Sequence, residues 1–155
     1  MRVTRKLFLL FSLCSALLGL ALSAADRATG GGDRIAFQAI LVIASDDGST
    51  DATLAAFEPK LRSLLRFKSY RRVGGGHAEI AKSGESTIAL GQGNSLDLWI
   101  ENVADTEVSF GVRWYNERLN LANMKVTRRR GAETIIGGPK TEDGKGHYAV
   151  IITAK

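Results

Sequence analysis

Hydrophobic and polar positions change their period several times along the chain, and each change marks an element. Leu7 to Leu22 is an almost unbroken apolar run. Asp26 to Asp33 is polar and Gly-rich, the composition of a flexible leader. Arg34 to Ala44 is nearly continuous in apolar and β-branched residues, which predicts a central strand covered on both faces. Ser45 to Thr50 breaks that strand with turn residues and supplies helix N-caps in Ser49 and Thr50.

From Asp51 the spacing turns helical. Leu54, Phe57, Leu61, Leu64 and Leu65 fall on one stripe of a 3.6-residue repeat that runs to about Phe67. Pro59 interrupts the stripe and leaves two readings: a kinked helix, or a second helix that begins there. Gly74-Gly75-Gly76 reads as the hinge that ends the helical region.

Everything beyond it reads as strands and turns. His77 to Ala81, Ser86 to Leu90, Ser95 to Glu101, Glu107 to Tyr115, Leu119 to Thr127, Glu133 to Ile136 and Tyr148 to Thr153 are the predicted strands. Ser95 to Glu101 alternates cleanly, with Leu96, Leu98 and Ile100 inward and Asp97, Trp99 and Glu101 outward. In Glu107 to Tyr115 the inward set is Val108, Phe110, Val112 and Trp114, which leaves Tyr115 outward. Short connections favour antiparallel neighbours. The expected fold is α+β: about eight strands, mainly antiparallel, in a curled sheet or small sandwich with one helix packed on it.

The N-terminal run changes the compartment. Arg2, Arg5 and Lys6 precede the apolar stretch, and Ser23, Ala24 and Ala25 close it before the first acid, Asp26. This is the layout of a secretory signal peptide over residues 1–25, with cleavage after Ser23 or Ala25; an uncleaved anchor is the rival reading. A lipid anchor does not fit, because Cys14 lies inside the apolar run behind Leu13. The expected organisation is signal 1–25, leader 26–33 and one α+β domain over 34–155. The expected location is the bacterial envelope, periplasmic or extracellular, with membrane contact only through an uncleaved signal.

Export also changes the charge. The chain has 21 Lys+Arg and 16 Asp+Glu, but three of the bases and none of the acids lie in the signal. The remainder holds 18 bases against 16 acids, a formal charge of +2. A nucleic-acid partner therefore has no support from overall charge. Cys14 is the single cysteine, so the domain has no disulfide, thiol nucleophile or cysteine metal site.

Candidate chemistry is sparse. The densest cluster is Lys60, Arg62, Arg66, Lys68, Arg71 and Arg72, interleaved with Phe67 and Tyr70. It reads as an anion-binding patch or as a solvated helix end whose bases complement the dipole. Arg128-Arg129-Arg130 reads as an edge-strand guard. Asp46, Asp47 and Asp51 offer calcium-friendly oxygens without EF-hand spacing. His77 and His147 follow glycines at strand starts, with no nucleophile elbow or H-E-x-x-H pattern, so no catalytic residue, metal site or cofactor is assigned. The glycine run does not match a phosphate-binding loop.

The stretch Arg130-Gly131-Ala132-Glu133-Thr134-Ile135-Ile136-Gly137-Gly138 resembles the G-x-x-T-x-I-G-G turn of secretin-type outer-membrane proteins. The overall plan also resembles small exported bacterial β-rich domains. The resemblance implies an envelope setting and gives no residue a role. The expected function is a non-catalytic binding or assembly module whose partner is an envelope protein or an anionic polymer. Its contact residues are Arg62, Arg66, Lys68, Tyr70, Arg71, Arg72, Trp99 and Tyr115. The alternatives are a secreted hydrolase of cell-wall or extracellular polymer, and a polyanion-binding module built on the basic helix end.

Overall fold

A computed structural model describes residues 34–117 and 119–155. The signal and leader assigned above lie outside these residues. Eight strands form two four-stranded antiparallel sheets, stacked as a sandwich with one helix on the outside. The α+β expectation holds in its sandwich form.

Sheet 1 has the order β2-β1-β8-β7, built from β1 (Arg34–Ser45), β2 (Ser69–Ala81), β7 (Glu133–Lys140) and β8 (Gly146–Ala154). Sheet 2 has the order β3-β4-β5-β6, built from β3 (Glu85–Gly91), β4 (Asn94–Val103), β5 (Glu107–Asn116) and β6 (Leu119–Arg129). β1 and β8 lie side by side in the middle of sheet 1, and their two faces serve two cores. Ile35, Phe37, Ala39 and Leu41 of β1 point between the sheets, against Leu96, Leu98, Phe110 and Trp114. Ile40, Val42 and Ala44 point the other way, under the helix, with Leu54, Leu61 and Tyr70. That double burial is why the strand reads as continuously apolar.

The helical region resolves in favour of a break at the proline. Ala52–Leu54 forms one 3₁₀ turn, capped by Asp51, and α1 (Glu58–Leu65) begins anew with Pro59 in its first turn. Pro59 needs no amide partner there, and its fixed φ suits a helix start. Restarting the helix rotates the expected stripe. Leu61 is fully buried and Leu65 packs against the outer core, but Leu64 is 56% exposed. Burying a side chain such as Leu61 contributes about 1.5–3 kcal/mol.

The glycine run is not a hinge. β2 begins at Ser69 and passes straight through Gly74-Gly75-Gly76. A Cβ on Gly74 would collide with the Leu90 carbonyl of β3, so the run marks the place where β2 of one sheet meets β3 of the other. Beyond that point sheet 1 overhangs sheet 2: Val42 to Ser45 pair with Arg72 to Ser69 and continue past the end of the sandwich. β7 likewise extends beyond its expected end, through Pro139 to Lys140. An edge strand tolerates the proline. The secretin-like stretch is divided between the turn after β6 and β7. Among the described residues no helix is long and apolar enough to cross a membrane.

Candidate functional site

Two concavities draw on chemically rich residues. The first lies in the overhang of sheet 1. Ile43, Ser69, Arg71 and Tyr148 line it with the loops at Asp47 and Asp143, around about 560 Å³. Its polar groups are largely committed to building those loops. Thr141 Oγ1 and the Lys145 amide donate to Asp143 Oδ1. These two bonds hold the Asp143 carboxyl below its ordinary pKa, the Thr141 bond most strongly. The hydroxyls of Ser45 and Ser69 donate to the Asp47 carbonyl.

The second is a shallow groove of about 980 Å³ on the solvent face of sheet 2, lined by Glu85, Thr87, Asp97, Trp99 and Arg113 among others. Strand register arranges this face in cross-strand rows. Thr87, Asp97, Arg113 and Asn123 form one row; Glu85, Trp99, Gly111 and Lys125 form the next; Ala89, Ser95, Tyr115 and Asn120 form the third. Trp99 lies on Gly111, where a Cβ would collide with indole Cε2 and Cζ2. Its Nε1–H donates to Glu101 Oε1 at 3.3 Å, and the same carboxylate pairs with Lys125 Nζ at 2.8 Å. These partners, Lys125 first, hold the Glu101 carboxyl below its ordinary pKa. The Arg113 guanidinium carbon stands 5.9 Å from the ring centroid. That places the cation over the ring at the outer limit of a cation–π contact, and the half-buried indole lines the groove beside it.

Asp97 organises the neighbouring row. Thr87 Oγ1 donates to its Oδ1 at 2.7 Å, Tyr115 Oη donates to the same atom at 3.4 Å, and Arg113 Nη1 lies 3.8 Å from Oδ2. Trp99 and Tyr115 are thus outward, as the alternation predicts, while Trp114 is fully buried with its Nε1–H donating to Asn94 Oδ1 at 2.9 Å. Asp97, Glu101, Gly111, Arg113 and Lys125 of this face lie outside the contact set expected from sequence. The alternation that exposes Trp99 also places Asp97 and Glu101 beside it, and this was the available signal.

The basic cluster is not one surface. Arg62 pairs with Glu58 at 2.7 Å on α1, and Lys60 pairs with Glu133 at 3.0 Å on β7. Arg66 caps the helix in the left-handed conformation, and Lys68 follows it in the connection to β2. Tyr70 is fully buried, its hydroxyl donating to the Phe67 carbonyl, so it belongs to the core and not to an exposed contact set. Burial raises its pKa above the usual phenol value. Arg71 turns into the overhang groove, on the opposite face of β2 from Tyr70, because successive strand residues alternate. Arg72 lies exposed on β2, near the shallow surface that also includes His77.

Neither histidine has the setting a general base needs. His77 is exposed on β2, opposite Gln38 of β1. His147 stacks on Phe67 with ring centroids 5.3 Å apart. Among the described residues no hydrogen bond or ion pair joins either imidazole to a carboxylate or a hydroxyl. Asp46, Asp47 and Asp51 do not converge: Asp51 caps the 3₁₀ turn by accepting from the Thr53 amide and hydroxyl. Among the described residues no group of three His, Cys, Asp or Glu has metal-holding geometry.

The features that unite on one surface are therefore the groove-lining indole of Trp99, the Tyr115 hydroxyl and the two ion pairs around them. No protein-family model matches the chain, and comparison with characterised proteins and with solved structures also finds no match.

Proposed function

We propose that the protein is an exported, non-catalytic binding module of the bacterial envelope, and that its contact surface is the solvent face of sheet 2 centred on Trp99. Export rests on the signal layout of residues 1–25. One observation carries the choice of surface: the Trp99 ring, fixed from below by Gly111 and at its edge by Glu101, still lines the groove on the solvent face. A side chain already held in one position loses little conformational entropy when a partner lands on it. Tryptophan, tyrosine and arginine are also the residue types that dominate binding energy, and Trp99, Tyr115 and Arg113 lie together here.

The test follows a tagged full-length chain in the organism that carries it. The N-terminus of the accumulated protein, read by mass spectrometry, is expected after Ser23 or Ala25, and the protein is expected to fractionate with the envelope. Trp99→Ala should release it into the soluble periplasmic fraction. Accumulation of intact precursor in the cytosol would overturn export. Unchanged retention in both Trp99→Ala and Arg113→Ala would overturn the choice of surface.

A further inference from the structure

We infer that the ligand of the sheet 2 face is a neutral polysaccharide chain, with one sugar ring stacked on Trp99 and its hydroxyls read by the Asp97 row. This inference rests on the binding-face reading above and specifies the partner.

Three observations select this chemistry. The part of the half-buried indole that lines the groove is a flat apolar surface, and the aliphatic C–H face of a pyranose is the complementary shape, polarised to meet the negative face of a π system. Around that ring the side chains are polar. Thr87, Asp97, Arg113, Asn123 and Tyr115 supply hydroxyl, carboxylate, guanidinium, amide and phenol groups in two adjacent rows. A sugar carries hydroxyls that both donate and accept, so it can satisfy such a mixed set. The core of a protein interface is depleted in charged residues, whereas Glu85, Asp97, Glu101, Arg113 and Lys125 crowd around Trp99. The large exposed hydrophobics Leu64, Leu119 and Met124 are not in the rows that flank Trp99.

Charge decides against a polyanion. Arg113 is matched by Asp97 and Lys125 by Glu101 on the same face, and Glu85 adds a further carboxylate beside Trp99. An acidic polymer would meet three carboxylates and no surplus of cations. The groove is shallow, and it runs from the Ser83–Thr87 edge across β4 to Arg113. That form suits a chain passing over the surface more than a compact metabolite, which would be enclosed.

The experiment uses the full-length exported protein and titrates it by isothermal calorimetry with cello-, xylo-, chito- and malto-oligosaccharides, and with heparin, reading tryptophan fluorescence in parallel on the unsubstituted chain. Trp114 is buried, so a change on binding reports Trp99. Saturable binding of at least one neutral oligosaccharide is expected, nearly independent of salt. Trp99→Ala should weaken it by about tenfold or more, the scale of one lost aromatic contact. Trp99→Tyr, which keeps an aromatic ring, should weaken it less and serves if the alanine variant does not fold. Thr87→Ala should weaken it without touching the ring. If no neutral glycan binds while Trp99→Ala still releases the protein from the envelope, the glycan inference fails and the binding face stands. Salt-dependent binding of heparin alone overturns the neutral ligand in favour of a polyanion. If Trp99→Ala leaves glycan binding unchanged and neither Trp99→Ala nor Arg113→Ala alters envelope retention, both readings fail.

Discussion

Trp99 and Gly111 face each other directly across the β4–β5 pair, and the indole fills the volume that a side chain at position 111 would need. The glycine weakens its strand in isolation, because it brings no side chain to pack and loses more backbone entropy than any other residue. The ring that covers it restores the missing contact. Each residue thus accounts for the other.

Replacing that glycine should separate the pair. Gly111→Ala is expected to push the indole off the sheet and to lower stability by about 1–2 kcal/mol, the lower part of the overpacking range. In the Trp99→Ala background the same substitution should cost much less. Urea unfolding of the single and double variants measures the coupling, and additive penalties would contradict the contact.

Gly74 makes a stricter demand. The atom in its way is the Leu90 carbonyl, held in the backbone of β3, which cannot rotate aside like a side chain. Gly74→Ala is expected to cost about 3 kcal/mol, the upper part of the same range. Denaturant unfolding should show a loss at Gly74 well above that at Gly111.

Thr134 is a site where stability can be gained. Its Oγ1 is buried on β7 and has no hydrogen-bond partner among the described residues. Valine has nearly the same shape without the hydroxyl. Thr134→Val should stabilise the protein by about 1 kcal/mol. A thermal melt that moves upward by a few degrees would bear this out, and one that moves downward would show that the hydroxyl has a partner in solution.

Acid should loosen the Trp99 platform. The Lys125 and Trp99 bonds depress the folded-state pKa of Glu101 below its ordinary value of 4.5. Lys60 does the same for Glu133. A depressed folded pKa contributes stability above the unfolded-state pKa, and that contribution is lost as pH falls through the folded value. Stability should therefore be flat above the ordinary glutamate range and decline below it. Protonated Glu101 is a weaker acceptor for the indole Nε1–H, so Trp99 fluorescence should change in the same window. Lys125→Ala should move that midpoint to higher pH; an unmoved midpoint would detach Lys125 from the carboxylate.

Much of this architecture can be read from the chain, and the exceptions share a cause. The double burial of β1 and the inward and outward sets of β4 and β5 follow from local period, because one strand face meets one environment. Gly74-Gly75-Gly76 misleads because glycine disfavours strands locally, while the need for it comes from β3 at Gly74 and Gly76 and from the Ala39 carbonyl of β1 at Gly75, close only in the folded state. The basic cluster misleads in the opposite sense. Arg62 and Arg71 are near in sequence, but α1 ends at Leu65 and strand alternation sends Tyr70 and Arg71 to different faces. Trp99 is visible as outward, whereas its pairing with Gly111 depends on the β4–β5 register, fixed by the intervening turn and the irregularity near Ile100.

The adjacency of β1 and β8 sets a timetable for synthesis. The strand at Arg34–Ser45 acquires its inner neighbour only when Gly146–Ala154 has left the ribosome. Until then sheet 1 lacks one of its two central strands, and the inter-sheet core is without Val150 and Ile152. Contacts spanning nearly the whole domain also make closure slow. Completion of the sandwich therefore awaits a pairing between opposite ends of the described domain, and early strands must wait for late ones.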